Sequence, residues 1–288
     1  MAETTPRVVG LRGATPRGWL MICGGGVRDE HERMYRDFFA LADKADASPV
    51  GEGGASGKRT TRIGVVPTAT GAESRGGDTL ELLRRYAEGR EVVMVPLFKE
   101  DLGKGDDASI AELIASCDGL WFVGGDQSRI TAVFRPDGRD TLAYRATLRV
   151  LARGGVIAGT SAGAAMMTDP MITGGTSEDA LEHGVAWTND VQEGQGVGLA
   201  PGMGYLQGVL VDQHFLERGR LGRLIVAMHA TGTTRAFGVG EDAAFVVDLA
   251  RGEGFSIGPS KGPTAGWCGV VEVQRQRARQ AIMFGGSH

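Results

Sequence analysis

The sequence predicts one α/β domain built on a doubly wound, mostly parallel β-sheet. Short apolar bursts bounded by glycine recur through the first half of the chain, and amphipathic helical stretches separate them. The bursts are apolar on successive residues and several are rich in β-branched side chains, as in strands covered on both faces. The chain has 288 residues, of which 42% are hydrophobic, enough for one large packed core.

The bursts begin at Trp19 (WLMICGGG), Arg62 (RIGVVPTATG), Glu91 (EVVMVPLF), Gly119 (GLWFVGGDQ) and Gly154 (GGVIAGTSAG). The stretch RDEHERMYRDFFALADKA places Met34, Phe38, Leu41 and Ala42 on one helical face. DTLELLRRYAEG and DTLAYRATLRVLARGG read as further helices, each ending near a glycine. The Gly/Ser/Ala-rich segment over 46–60 reads as a mobile loop within the domain, because the strand–helix pattern resumes after it. Residues 168–207 are glycine-rich and less regular, and from FGVGEDAAFVVDL onward short strands predict an antiparallel extension. The expected organisation is an N-terminal extension over 1–17 and a single domain over 18–288. In such sheets the ligand site lies beyond the carboxyl ends of the strands, which points to the loops after the bursts.

Bulk composition excludes several classes. The net charge of -4 argues against a nucleic-acid binder, which carries a basic surface. No apolar run is long enough for a membrane span, and the first residues lack the apolar core of a secretory leader, so a cytoplasmic protein is expected. Cys23, Cys117 and Cys268 are too few and too scattered for a disulfide framework or a zinc cluster. There is no H-E-x-x-H, so neither a metal nor a cofactor is expected.

The sharpest local motif is Gly159-Thr160-Ser161-Ala162-Gly163, which fits G-x-S-x-G between a buried strand and a run of small residues. A sharp strand-to-helix turn there pushes the Ser161 hydroxyl out of the sheet, and the helix N-terminus offers N–H groups to a developing oxyanion. The alternative is a glycine-rich turn whose serine caps the helix. A serine nucleophile needs a base. His31 sits in a charged helix and reads as solvated, His183 lies in a loop-like stretch, His229 reads as packing or capping on an apolar helix, and His288 is in the tail. His214 follows an apolar burst, on the edge where Ser161 should emerge. Gly124-Gly125-Asp126-Gln127 follows another strand. Its paired glycines suit an oxyanion hole, although a plain strand-ending turn has the same sequence. CGGGVRDE matches neither G-x-G-x-x-G nor a P-loop and reads as a tight loop at the sheet edge. Arg218, Arg220 and Arg223 gather near a helix N-terminus, where the macrodipole disfavours cations; they suit a carboxylate ligand better than a solvated face.

Taken together, GGDQ, GTSAGA, LAPGMGYLQGVLVDQHFLERGRLGRL and GEDAA resemble the cyanophycinase family of serine peptidases, which also includes the aspartyl dipeptidases called peptidase E. The resemblance runs in order over roughly residues 18–275. It implies a class I glutamine-amidotransferase-like (flavodoxin-like) α/β fold with a serine nucleophile elbow. It also implies hydrolysis of cyanophycin, a poly-aspartate whose β-carboxyls carry arginine by isopeptide linkage, to β-aspartyl-arginine dipeptides. Position by position, Ser161 matches the nucleophile and His214 the base. Gln127, Asp212, Gln213, Arg218, Arg220 and Arg223 match the polar lining of the substrate pocket. Glu241 falls at the acidic position that would orient His214. Gly240 stands where the family has Asp and Ala243 where it has Thr, so Asp212, Glu178 and Asp179 remain alternatives for the triad acid. The N–H groups of Gly125, Asp126 and Ala162 would hold the oxyanion. The expected partner is cyanophycin or an aspartyl peptide, and a homodimer is expected by resemblance alone. The rival readings are a peptidase E-like dipeptidase and a non-catalytic protein binding acidic peptides.

Overall fold

A computed structural model describes residues 17–46, 60–258, 268–276 and 279–285. The expected extension over 1–17 and the loop over 46–60 therefore lie outside the described residues, apart from Arg17, Asp46 and Thr60. In chain order the first half runs β1 (Trp19–Cys23), α1 (Glu32–Ala42), β2 (Arg62–Val66), α2 (Gly77–Arg85), β3 (Glu91–Met94), α3 (Ala108–Ser116), β4 (Gly119–Phe122), α4 (Gln127–Phe134), α5 (Leu142–Ala152), β5 (Val156–Thr160) and α6 (Ala162–Ala165). Next come β6 (Thr168–Asp169), β7 (Met171–Gly174), α7 (Ser177–His183), β8 (Val185–Trp187), β9 (Val197–Ala200), β10 (Leu206–Gln207), β11 (Leu210–Gln213) and α8 (Leu221–Thr231). The chain then forms β12 (Arg235–Val239), β13 (Ala244–Asp248), β14 (Glu253–Ile257), β15 (Cys268–Gln276) and β16 (Arg279–Gly285).

The main sheet has seven strands in the order β14-β13-β1-β5-β4-β2-β3. Five of them, β1, β5, β4, β2 and β3, are parallel, and β13 and β14 add an antiparallel edge. All five expected bursts are these parallel strands. Side-chain alternation divides the core between the two faces. Leu20, Ile22, Leu120, Phe122 and Ile157 point to the face covered by α3, α4 and α5. Met21, Cys23, Trp121, Val156 and Ala158 point to the face covered by α1, where Phe38 meets Trp121 edge-on at 5.1 Å. β1, β2, β4 and β5 thus bury both faces, which is why their sequences are apolar throughout rather than alternating, whereas β3 at the sheet edge leaves Val93 and Met94 partly exposed. Met34, Phe38, Leu41 and Ala42 of α1 are all buried, as their spacing requires.

A second sheet has the order β11-β12-β15-β16, and a third β7-β9-β8; the short β6 and β10 pair with each other. β11 and β12 are parallel, with Gln213 opposite Val239. Their carboxyl ends therefore deliver His214 and the Gly240–Asp242 turn side by side. That turn leads directly into β13 of the main sheet, so the two sheets meet where β1, β5 and β4 also end.

Three histidines lie differently from expectation. His31 is buried at the N-cap of α1, where its Nδ1 accepts from the Met34 N–H and its Nε2 sits 2.9 Å from the Gly258 carbonyl. His183 closes α7 rather than lying in a loop, and His229 is exposed on α8. No helix among the described residues is long and apolar enough to cross a membrane.

Candidate active site

Ser161 stands between β5 and α6 with φ 54° and ψ -111°. This left-handed backbone costs a non-glycine residue on the order of 1–3 kcal/mol, and such costs persist where surrounding contacts hold them. The flanking glycines make the sharp turn sterically open. A side chain at Gly159 would come within 2.1 Å of the Gly163 carbonyl, and one at Gly163 within 2.5 Å of the Phe122 carbonyl. The Ser161 side chain does not cap its helix, so the capping alternative is set aside.

Ser161 Oγ lies 2.9 Å from His214 Nε2, and His214 Nδ1 lies 2.5 Å from Glu241 Oε1. A carboxylate only accepts, so Nδ1 carries the proton and Nε2 is left to accept from the serine hydroxyl. A second acceptor, Gln213 Oε1, is 3.4 Å from Ser161 Oγ. Burial is the main cause that holds the imidazole below the usual histidine range. The Glu241 hydrogen bond pulls the other way, and the nearby Arg218 and Arg220 add to the lowering. The imidazole is thus neutral at pH 7, the form that takes a proton. If His214 is the base, the acid limb of kcat/KM falls below that of an ordinary histidine. Arg218 disfavours the imidazolium, so Arg218→Ala should raise the His214 pKa and move that limb to higher pH; a pH profile of the two proteins reads the direction.

The loop after β1 holds these residues together. Three consecutive carbonyls, those of Cys23, Gly24 and Gly25, accept the N–H groups of Ser161 (3.1 Å), His214 (2.7 Å) and Asp242 (2.9 Å). All three donors have positive φ: 54°, 45° and 55°. One strand end therefore fixes the three strained positions that carry Ser161, His214 and the neighbour of Glu241. Asp242 is itself buried and accepts the Arg28 N–H at 3.0 Å, which anchors the far side of the loop. The expected placement of this loop at a sheet edge is corrected: β1 lies between β13 and β5, and the loop is the seat of the site. Its three glycines were visible in the sequence, but their partners are almost 200 residues away or more.

The oxyanion and pocket residues separate into groups. The N–H groups of Gly125 and Ala162 have no acceptor among the described residues, whereas the Asp126 N–H is taken by the Ala69 carbonyl at 3.0 Å. Asp126 instead caps α4, its Oδ1 accepting from Ser128. Gln127, expected in the substrate lining, is buried and spends both its amide donors on the carbonyls of Ile172 and Thr173. Asp212 and Arg223 leave the expected pocket altogether. Their side chains are 1% and 4% exposed and form a bidentate pair at 2.5 and 2.7 Å, with Arg223 also donating to the Gly175 carbonyl. The buried carboxylate is what makes an arginine tolerable in the first turn of α8. Asp212 is thereby engaged away from His214, and Glu178 and Asp179 lie in the first turn of α7, Asp179 accepting from the Gly194 N–H. Of the four candidate acids, Glu241 is the one placed against the imidazole.

Arg220 is mostly buried and donates to the Gln213 carbonyl at 2.6 Å; burial, then the adjacent Arg223, pushes its pKa down to about 10. Arg218 is exposed, and its side chain has no partner among the described residues. Of the three arginines, Arg218 and Arg220 are the ones whose charges reach His214. Among the described residues, no group of three or more His, Cys, Asp or Glu is placed to hold a metal ion.

Comparison with known proteins adds to this geometry. The chain is 33% identical over 180 residues to the cyanophycinase of Synechococcus elongatus, covering 62% of this chain and 51% of that protein. It is 31% identical over 233 residues to the cyanophycinase of Trichormus variabilis, covering 80% of this chain and 67% of that protein. It is 29% identical over 232 residues to the cyanophycinase of Geminocystis herdmanii, covering 80% and 74%. The chain thus spans about half the length of the first of these relatives. The crystal structure of a peptidase from an acI-B1 Actinobacterium shares the fold at a TM-score of 0.58 and 17% identity, covering 95% of this chain and 97% of that one. No family model matches the chain.

Proposed function

The chain belongs to the cyanophycinase family, and from that premise we propose that it is a serine-type peptidase that cleaves the poly-aspartate backbone of cyanophycin and releases β-aspartyl-arginine dipeptides. The observation that carries this reading is the linear relay of Ser161 Oγ, His214 and Glu241 at 2.9 and 2.5 Å. The Ser161 turn, with its positive φ between β5 and α6, supports reading it as the nucleophile elbow of a class I glutamine-amidotransferase-like fold.

In this mechanism Ser161 Oγ attacks the backbone carbonyl carbon of an aspartyl residue as its proton passes to His214 Nε2. Glu241 holds the Nδ1 proton and stabilises the imidazolium that forms. The N–H groups of Gly125 and Ala162 converge on the carbonyl oxygen as it becomes an oxyanion. The tetrahedral intermediate expels the amine, which takes the proton from His214 Nε2, leaving an acyl-enzyme on Ser161. Water, deprotonated by the same nitrogen, then attacks the ester and frees the serine. Arg218 and Arg220 offer charge-assisted hydrogen bonds to the substrate carboxylates.

Mass spectrometry of the products after incubation with purified cyanophycin tests the proposal. β-Aspartyl-arginine is the expected product. Intact polymer beside cleavage of simple Asp-Xaa dipeptides would shift the reading to a peptidase E-like dipeptidase. No turnover of either substrate by folded protein would remove the enzymatic reading.

A further inference from the structure

A cavity of about 290 Å³ opens beside the serine site, between the loop after β2 and the loop after β3. Clefts that take small ligands start at about 300 Å³. Its Thr70 edge abuts the candidate oxyanion turn: a side chain on Gly125 would come within 3.0 Å of the Thr70 Cα, and one on Gly124 within 3.4 Å of the Ser161 Cβ. Ser161, the turn after β4 and the cavity are therefore contiguous along the carboxyl edge of the main sheet.

The cavity lining already holds a guanidinium. Arg75 places its guanidinium carbon 3.9 Å from the centre of the Phe98 ring and a nitrogen 3.3 Å from Glu100. An aromatic face beside a carboxylate is a guanidinium-recognition pair. The Arg75 and Glu100 side chains are 54% and 55% exposed, so their ion pair adds little to the fold and yields to a competing cation. Arg75 also holds a φ of 49°, an unfavourable backbone for its residue type. On the other side, Lys99 has no carboxylate partner among the described residues. A side chain at Gly71 would lie 3.2 Å from Arg129 Nη1 and 3.9 Å from Lys99 Nζ, so both cations border bare backbone; Arg129 is held there by the Ala69 carbonyl at 3.0 Å and by Asp126 at 3.6 Å. Lys99 is the cation left to meet a carboxylate.

We propose that this cavity is a second substrate subsite, which takes the zwitterionic side chain of another unit of the same polymer: its guanidinium against Phe98 and Glu100 in place of Arg75, its carboxylate against Lys99. An arginine linked through its α-amine keeps both charged groups, so the inference rests on the proposed cyanophycin substrate. Two linked sites on one edge favour a polymer over a dipeptide, because the second contact forms at high effective concentration.

The test uses Glu100→Lys and Lys99→Glu, each on the exposed rim, with cyanophycin and a two-unit aspartyl-arginine fragment as substrates. In each variant the ratio of kcat/KM on polymer to kcat/KM on the fragment should fall about fivefold, the effect of losing one partly exposed ion pair. A ratio unchanged in both variants overturns the subsite. Titration of soluble four-unit fragments into the Ser161→Ala protein separates this proposal from the catalytic one. Affinity that drops in the two rim variants keeps the subsite even if the native protein cuts nothing, and equal affinity in all of them removes it.

Discussion

Gly25→Ala is expected to lower kcat/KM by at least about 100-fold in a protein that still folds. Gly25 has φ +102°, and a methyl group there would sit 2.3 Å from both Cε1 and Nε2 of His214. The backbone cannot retreat, because the flanking carbonyls hold Ser161, His214 and Asp242. The imidazole must therefore swing out by more than an ångström. That motion breaks the 2.9 Å contact with Ser161 and the 2.5 Å contact with Glu241 at once. The added φ strain costs about 1–3 kcal/mol of stability, so the melting temperature should also fall. Steady-state kinetics beside a thermal melt checks both; a variant within tenfold of native activity would show that the loop does not set the histidine's position.

Arg223→Met is expected to destabilise the protein by about 3–5 kcal/mol. It leaves the Asp212 carboxylate buried with the Gln213 N–H at 2.9 Å, a 3.5 Å contact to Arg220 and no bidentate partner. Pairing Arg223→Met with Asp212→Asn should recover part of that loss, since the uncompensated charge is gone. Arg218→Ala should leave stability nearly unchanged, because its side chain is exposed and unpaired among the described residues. Urea denaturation of the four proteins checks the order. If Arg223→Met matched Arg218→Ala in stability, the division of the three arginines between fold and pocket would be wrong.

The parallel strands were legible because each reads as an unbroken apolar run, and all but the edge strand β3 are buried on both faces. Ser161 was legible because its turn needs glycines at fixed local spacing. His214 was legible only as a histidine at a strand end, and Glu241 only through resemblance, since the parallel β11–β12 pair that brings them together is not a local signal. The charges misled for the same reason. Arg218, Arg220 and Arg223 look alike in sequence, and only the packing of α8 on β11 decides that Arg223 is consumed inside against Asp212. The loop after β1 carried no motif at all: its role lies in the carbonyls of Cys23, Gly24 and Gly25, and carbonyls are common to every residue.

The central claim is that Ser161 is a nucleophile activated by His214. The most direct measurement is the intact mass and peptide map of the native protein after treatment with a serine-directed phosphonate. The account predicts a single adduct on Ser161, abolished in His214→Ala while the fold is retained. Native, folded protein that takes no label at Ser161, or labels equally without His214, would contradict it.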